Sequence, residues 1–140
     1  MAKLTRADLQ SLTRARVEDA RLLLDNGRHA AAYHLVGLAL EAALKACIAR
    51  QTVEHEFPDL DRARDCWKHK PSLLINTAGL QEELAKRVRA DAEFEANWLT
   101  VKDWDVDSRY AEWPQQAARD LFFAVTDAGH GVLPWVEGYW

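Results

Sequence analysis

Only two cysteines occur in the 140 residues, Cys47 and Cys66, and they form no CxxC pair. That excludes a disulfide framework and a cysteine-built zinc site. Cys47 sits in an apolar run and reads as a small buried thiol, as expected in a reducing cytoplasm. Glycine (six) and proline (four) are also scarce. They read as punctuation between periodic stretches, the pattern of a helical chain. A glycine-rich phosphate loop, GxSxG and HExxH are all missing, which removes most familiar nucleotidase, hydrolase and peptidase designs. Positive charge is in deficit: 18 Lys and Arg against 22 Asp and Glu give a net charge of -4. A broad electrostatic coat for nucleic acid is thereby excluded, though a local basic pocket is not. The opening Met1-Ala2-Lys3-Leu4-Thr5-Arg6 has no apolar signal-peptide core, and no charge-free apolar stretch approaches membrane-spanning length. A cytoplasmic chain with no membrane partner is the expectation.

What is present is a hydrophobic fraction of 49% with a charged fraction of 29%. This suits a single domain over residues 1–140 with one core. Thr5 caps a first helix, with Asp8 three residues on. Leu9, Leu12, Val17, Ala20, Leu23 and Leu24 follow on one face, and Asn26-Gly27 closes it. A second helix runs from about Arg28 to Arg50 and is apolar nearly all round, which calls for burial in a bundle or an interface. Residues 51–70 are charged, contain Pro58 and have no sustained period, so they read as a long connection. Pro71 begins a short helix ending at Ala78, before Gly79. A third long helix spans about Leu80 to Trp104, a turn Asp105 to Trp113, and a fourth helix opens at Pro114 with Ala117, Leu121, Ala124, Val125 and Ala128 inward. Gly129 and Gly131 end it, and Pro134 starts a last turn. Five of the six tryptophans lie in the last third, which makes that end an aromatic-rich half of the core or an interface. The expected fold is all-α: an antiparallel bundle of four long helices plus one or two short ones.

Three constellations carry chemistry. His34, Glu41 and Lys45 are the only polar side chains between Ala30 and Ala49. They share a strip roughly 40° wide on the second helix. The strip is either the solvated edge of a central helix or a surface facing a pocket or partner. Arg16 and the Arg87–Asp91 pair also interrupt apolar faces, and the cost of burying a charge alone leads us to expect them in one network with the strip. The second constellation is Arg28 and His34, a phosphate holder and a proton-transfer group. Six positions on one helix set them roughly 120° apart, so convergence requires Arg28 to lie outside the helix or a second subunit to supply one group. The third is Ser108-Arg109-Tyr110, where a loop arginine beside an aromatic binds phosphate and stacks on a base, or else ties to Asp103, Asp105 or Asp107. Glu54-His55-Glu56 matches no metal-ligand spacing, and no cofactor or metal is implied.

The run Ala39-Leu40-Glu41-Ala42-Ala43-Leu44-Lys45-Ala46 resembles the A-hydrophobic-E-x-x-hydrophobic-K-A element of the HEPN family. Asp19 to Leu23 and Gly27 to Tyr33 resemble its lead-in, His69-Lys70-Pro71 its linker histidine, and Ser108-Arg109-Tyr110 its RY element. The ending His130-Gly131-Val132-Leu133-Pro134-Trp135 is similar to one bacterial branch. The resemblance spans nearly the whole chain. It implies a homodimer with a ligand groove between subunits, associated with RNA or a nucleotide and part of a toxin–antitoxin or defence-type pair. The family includes metal-independent RNases, which carry an Arg, a polar residue and a His four to six residues apart. It also includes non-catalytic partners of nucleotidyltransferases. In the nuclease case the resemblance assigns His34 as the proton-transfer group and Arg28 or Arg109 as the phosphate holder. Glu41, Lys45, Arg109 and Tyr110 are then binding or interface residues.

Overall fold

In the computed structural model, which describes residues 3–57 and 59–140, the chain is all-helical. Met1, Ala2 and the expected breaker Pro58 lie outside the described residues. The order is α1 (Arg6–Asp25), α2 (His29–Gln51), α3 (Leu60–Asp65), α4 (Pro71–Thr77), α5 (Gln81–Ala90) and α6 (Ala92–Val101). A 3-10 turn (Val106–Tyr110), α7 (Gln115–Thr126) and α8 (Val132–Glu137) follow. Thr5 and Asp8 form the expected reciprocal capping box at the start of α1, and Gly27 takes the left-handed backbone (φ 76°) that only glycine adopts without strain.

α2 organises the rest, packing against α1, α4, α7, α8 and the 3-10 turn. Val36, Ala39, Leu40, Ala43, Leu44, Ala46 and Cys47 are completely or almost completely buried. Burial pushes the Cys47 thiol up to about 11, so it remains an inert apolar filler. α2 is also long and apolar enough to cross a membrane by composition alone, but 61% of its most apolar stretch is buried inside the fold. The surrounding helices therefore account for its apolarity. Thr13 on α1 donates to Leu9 O (2.9 Å) and across to Ala39 O (3.2 Å), which satisfies the one buried hydroxyl at the α1–α2 contact.

Gly37 departs from the reading of glycines as punctuation. It lies inside α2, where a Cβ would fall within the indole ring of Trp104. The helix accepts the roughly 1 kcal/mol propensity cost of glycine because the bare backbone admits a large aromatic side chain. Trp98, Trp104 and Trp135 are all buried, so much of the aromatic-rich third is core.

The third long helix is broken in two. Asp91 has extended backbone (φ -146°, ψ 100°), and its carboxylate accepts from the Phe94 N–H at 3.0 Å, capping α6. The same carboxylate accepts from Arg87 Nη2 (3.2 Å) and faces His130 Nδ1 at 2.8 Å. The other His130 nitrogen lies 3.2 Å from Glu93, and the His130 N–H donates to Asp127. The capping residue thus ties the α5–α6 break to the α7–α8 connection. The connection before α4, expected to lack structure, contains the short helix α3, capped by the Asp59 side chain.

The capping N–H of Phe94, with the His130 hydrogen bond next, lowers the Asp91 carboxyl to about 2, and the hydrogen bond to Asp91 raises His130. The His130 contribution to stability is therefore full below the ordinary histidine value of about 6.5 and is lost as pH rises through the raised value. The Asp91 contribution is present above about 4 and is lost as pH falls towards 2. The melting-temperature gap between wild type and His130→Asn should be widest near pH 5 and shrink by pH 8. A gap independent of pH would show that charge on His130 does not hold this junction.

Candidate functional site

The polar strip of α2 is where two connections return to the helix. Glu41, 7% exposed, accepts from Lys45 Nζ at 2.8 Å through Oε1. The same oxygen lies 2.9 Å from His69 Nδ1. An ionised carboxylate only accepts, so Nδ1–H donates, and in the neutral ring the lone pair sits on Nε2. The other oxygen, Glu41 Oε2, is buried and has no hydrogen-bond partner among the described residues. Lys45 Nζ also lies 5.7 Å from the centre of the Trp67 ring. Trp67 is 71% exposed and sits in the turn after α3, where its N–H donates to Arg64 O at 3.1 Å. Pro71 then opens α4 just after His69. One short segment thus brings a half-buried His69 onto the α2 carboxylate and an exposed Trp67 beside Lys45.

About two turns away, a second group gathers on His34. Its Nδ1 is 2.9 Å from the hydroxyl of Ser108, a buried residue of the 3-10 turn. Trp113 fixes that turn, donating from Nε1 to Ser108 O (3.1 Å) and stacking on Tyr33 with ring centres 3.8 Å apart. Burial lowers the His34 pKa and the nearby Arg109 lowers it further, while Glu41 opposes them. The neutral ring is therefore favoured. Arg109 donates to the Tyr110 hydroxyl at 2.9 Å and covers the Tyr110 ring at 4.7 Å, and both side chains are exposed. It is not tied to Asp103, Asp105 or Asp107 among the described residues; Asp105 instead accepts from the Val106 N–H.

Arg28 does lie outside the helix, as the N-cap of α2. It lines a depression of about 440 Å³ with His29, Glu112 and Trp113, and His34 is not part of that lining. No hydrogen bond joins Arg28 to His34 among the described residues, whereas Arg109 is close enough to shift the His34 titration. The expectation of one network through Arg16 and Arg87–Asp91 is corrected. Arg16 pairs with Asp19 on its own helix at 3.2 Å, and Arg87–Asp91 belongs to the His130 junction. Each arginine finds a carboxylate near its own backbone, so no buried charge has to reach the strip. Among the described residues, no three or more His, Cys, Asp or Glu side chains are grouped as for a metal ion.

Comparison of the chain with family models, curated proteins and solved structures finds no match. The reading of the site therefore rests on geometry. Geometry brings His69, the linker histidine of the resemblance, onto Glu41 and adds Trp67 beside Lys45. The signal for His69 lies in the sequence: Arg64-Asp65 followed by His69 repeats the Arg, polar, His spacing also found at Arg28 and His34.

Glu41→Gln removes the charge that Lys45 and His69 share. It should cost about 1–3 kcal/mol, seen as a lower melting temperature. An unchanged melting temperature would place the carboxylate in solvent, outside any network.

Proposed function

We propose that this chain is a HEPN-like, dimeric, nucleotide- or RNA-associated domain of a toxin–antitoxin or defence-type system, acting as a metal-independent endoribonuclease. The observation that carries the reading is the Glu41–His69 pair. A histidine hydrogen-bonded to a buried carboxylate is fixed in the tautomer needed to move a proton. In the proposed reaction, His69 Nε2 takes the proton of a ribose 2′-hydroxyl and the 2′-oxygen attacks the adjacent phosphorus. The bond to the 5′-oxygen breaks, leaving a 2′,3′-cyclic phosphate and a 5′-oxygen that takes a proton from water, and the imidazolium then returns its proton to solvent. Glu41 orients the ring and stabilises the imidazolium, and Arg64 holds the phosphate. His34 with Arg109 is the alternative proton-transfer pair at the other end of the strip, and Arg109–Tyr110 is in either case a binding element.

In this reading α1, α2, the broken pair α5–α6, and α7 are the four long helices of an antiparallel bundle, with α3, α4 and α8 as its short ones. The exposed Leu4 and Leu12, beside the depression that Glu41 lines, support a groove shared with a second copy. The same apolar rim favours a second reading, a non-catalytic module that binds a nucleotidyltransferase or antitoxin.

Purified protein incubated with structured and single-stranded RNA in chelator should cleave it. His69→Ala should lose at least about 100-fold in rate. If His34→Ala loses activity and His69→Ala does not, the proton passes through the Ser108-bound histidine. Equal cleavage by wild type and both variants would overturn the enzyme. A stable complex with a co-expressed partner, without cleavage, would favour the module. Light scattering should give twice the 15.9 kDa chain mass. A monomer at high micromolar concentration would overturn the shared groove.

A further inference from the structure

Two histidines meet the polar strip of α2, and their hydrogen bonds leave their protons on different nitrogens. His69 faces an ionised carboxylate through Nδ1, so Nδ1 carries the proton and Nε2 is bare. His34 faces a hydroxyl through Nδ1 at 2.9 Å, and a hydroxyl can either donate or accept. The surroundings of Ser108 decide between the two. The residue is buried, and His34 is the one partner of its hydroxyl among the described residues. Were the hydroxyl to accept from Nδ1–H, its own O–H would find no acceptor inside the fold. A buried donor left unmade costs more than an unused lone pair on an oxygen that already donates. Ser108 Oγ–H therefore donates to Nδ1, and the neutral His34 ring carries its hydrogen on Nε2. The backbone that presents this hydroxyl is fixed on both sides. Ser108 N–H donates to Asp105 O at 3.0 Å, and Ser108 O accepts from Trp113 Nε1 at 3.1 Å and from the Ala111 N–H at 3.2 Å.

His34 Nε2 has no partner among the described residues and, unlike Glu41 Oε2, is not shut away from solvent. A neutral imidazole that presents an N–H does not act as a base there. It donates to an oxygen that carries negative charge. Burial, with Arg109 next, keeps the ring neutral. Arg109 follows Ser108 in the same 3-10 turn and is exposed. Its guanidinium is steadied by the Tyr110 hydroxyl at 2.9 Å and by the Tyr110 ring, and it makes no ion pair with a carboxylate among the described residues. Lys45, by contrast, is already paired with Glu41. A directed N–H beside an arginine without a carboxylate suits a group that offers several anionic oxygens at once.

We propose that Ser108 is a positioning residue that holds His34 as an Nε2–H donor, and that His34 and Arg109 together bind a phosphoryl group. This rests on the nucleotide- or RNA-associated reading above and divides the work of the strip. His69 is left as the base, and the end at His34 and Arg109 takes a phosphate of the ligand.

The experiment uses the full chain with isotope-labelled histidine at alkaline pH, where both rings are neutral. Long-range proton–nitrogen spectra distinguish the protonated ring nitrogen from the bare one. His34 should show a protonated Nε2 and a bare Nδ1, and the reverse at His34 overturns the proposal. His69 should show the opposite pattern, and failure there falls on the proton-transfer reading alone. Ser108→Ala should turn His34 into a mixture of both tautomers while the circular dichroism stays unchanged; an unmixed Nε2–H ring in that variant overturns the role of Ser108. Inorganic phosphate and, separately, a short single-stranded RNA blocked by 2′-O-methyl groups should each shift the His34 signals at millimolar concentration. Arg109→Gln should weaken both by at least about tenfold. A response to the RNA alone assigns the phosphoryl group to a nucleic-acid backbone, and a response to inorganic phosphate alone assigns it to a free ligand. No response to either overturns the anion site and leaves cleavage through His69 to its own assay.

Discussion

The covering of α2 on nearly every side is the constraint from which the other features follow. A helix this apolar must be wrapped, and α1, α4, α7, α8 and the 3-10 turn do so. Trp104 comes in so closely that position 37 has no room for a side chain. The sector through His34, Glu41 and Lys45 cannot be closed by apolar packing without burying charge unpaired. It is the one sector where the wrapping must supply polar partners. Two irregular connections do this: the segment before α4 brings His69, and the 3-10 turn brings Ser108 and Arg109. The site lies where the helix wrapping has to be interrupted.

The charges divide into two separate networks. The strip network has α2 as its base and two connections as its lid. The junction network has Asp91 as its hub and joins α5, α6 and the α7–α8 connection through Arg87 and His130. The Asp91 carboxylate caps a helix, pairs with an arginine and holds a histidine, and the capping role needs the backbone break that separates α5 from α6. The junction fixes α6 and α7 around the core independently of the strip. Changes at the strip therefore leave that end of the molecule held.

Much of the fold could be read from periodicity. The helical class, the capping box at Thr5, the end of α1 at Gly27 and the burial of α2 all follow from local pattern, and the described residues agree. The break at Asp91 could not be read that way. An Arg and an Asp four positions apart look like a surface pair on one continuous helix, and only the Phe94 N–H and the distant His130 make the aspartate a cap. Gly37 was equally hidden, because the side chain that requires it lies far along the chain at position 104. At the site, the His34, Glu41 and Lys45 strip was legible, but the approach of Ser108 and Arg109 to His34 was not. His69 belongs to a segment without periodicity, where nothing local indicates that its ring returns to α2.

A helix that needed only to fill a core would not contain this strip. Replacing a buried ion pair by apolar side chains of similar volume is commonly neutral or stabilising, so Glu41 and Lys45 bring little net stability to α2. The arrangement carries a further cost, because one carboxylate oxygen receives two donors while the other receives none among the described residues. If the carboxylate served only to anchor Lys45 and His69, both oxygens could share the two donors with less penalty. Instead both donors meet Oε1, while Oε2 stays shut away from solvent. That asymmetry is hard to explain by packing. In the proposed function it sets His69 and Lys45 on the same carboxylate oxygen, so the ring is oriented where the lysine charge is already balanced.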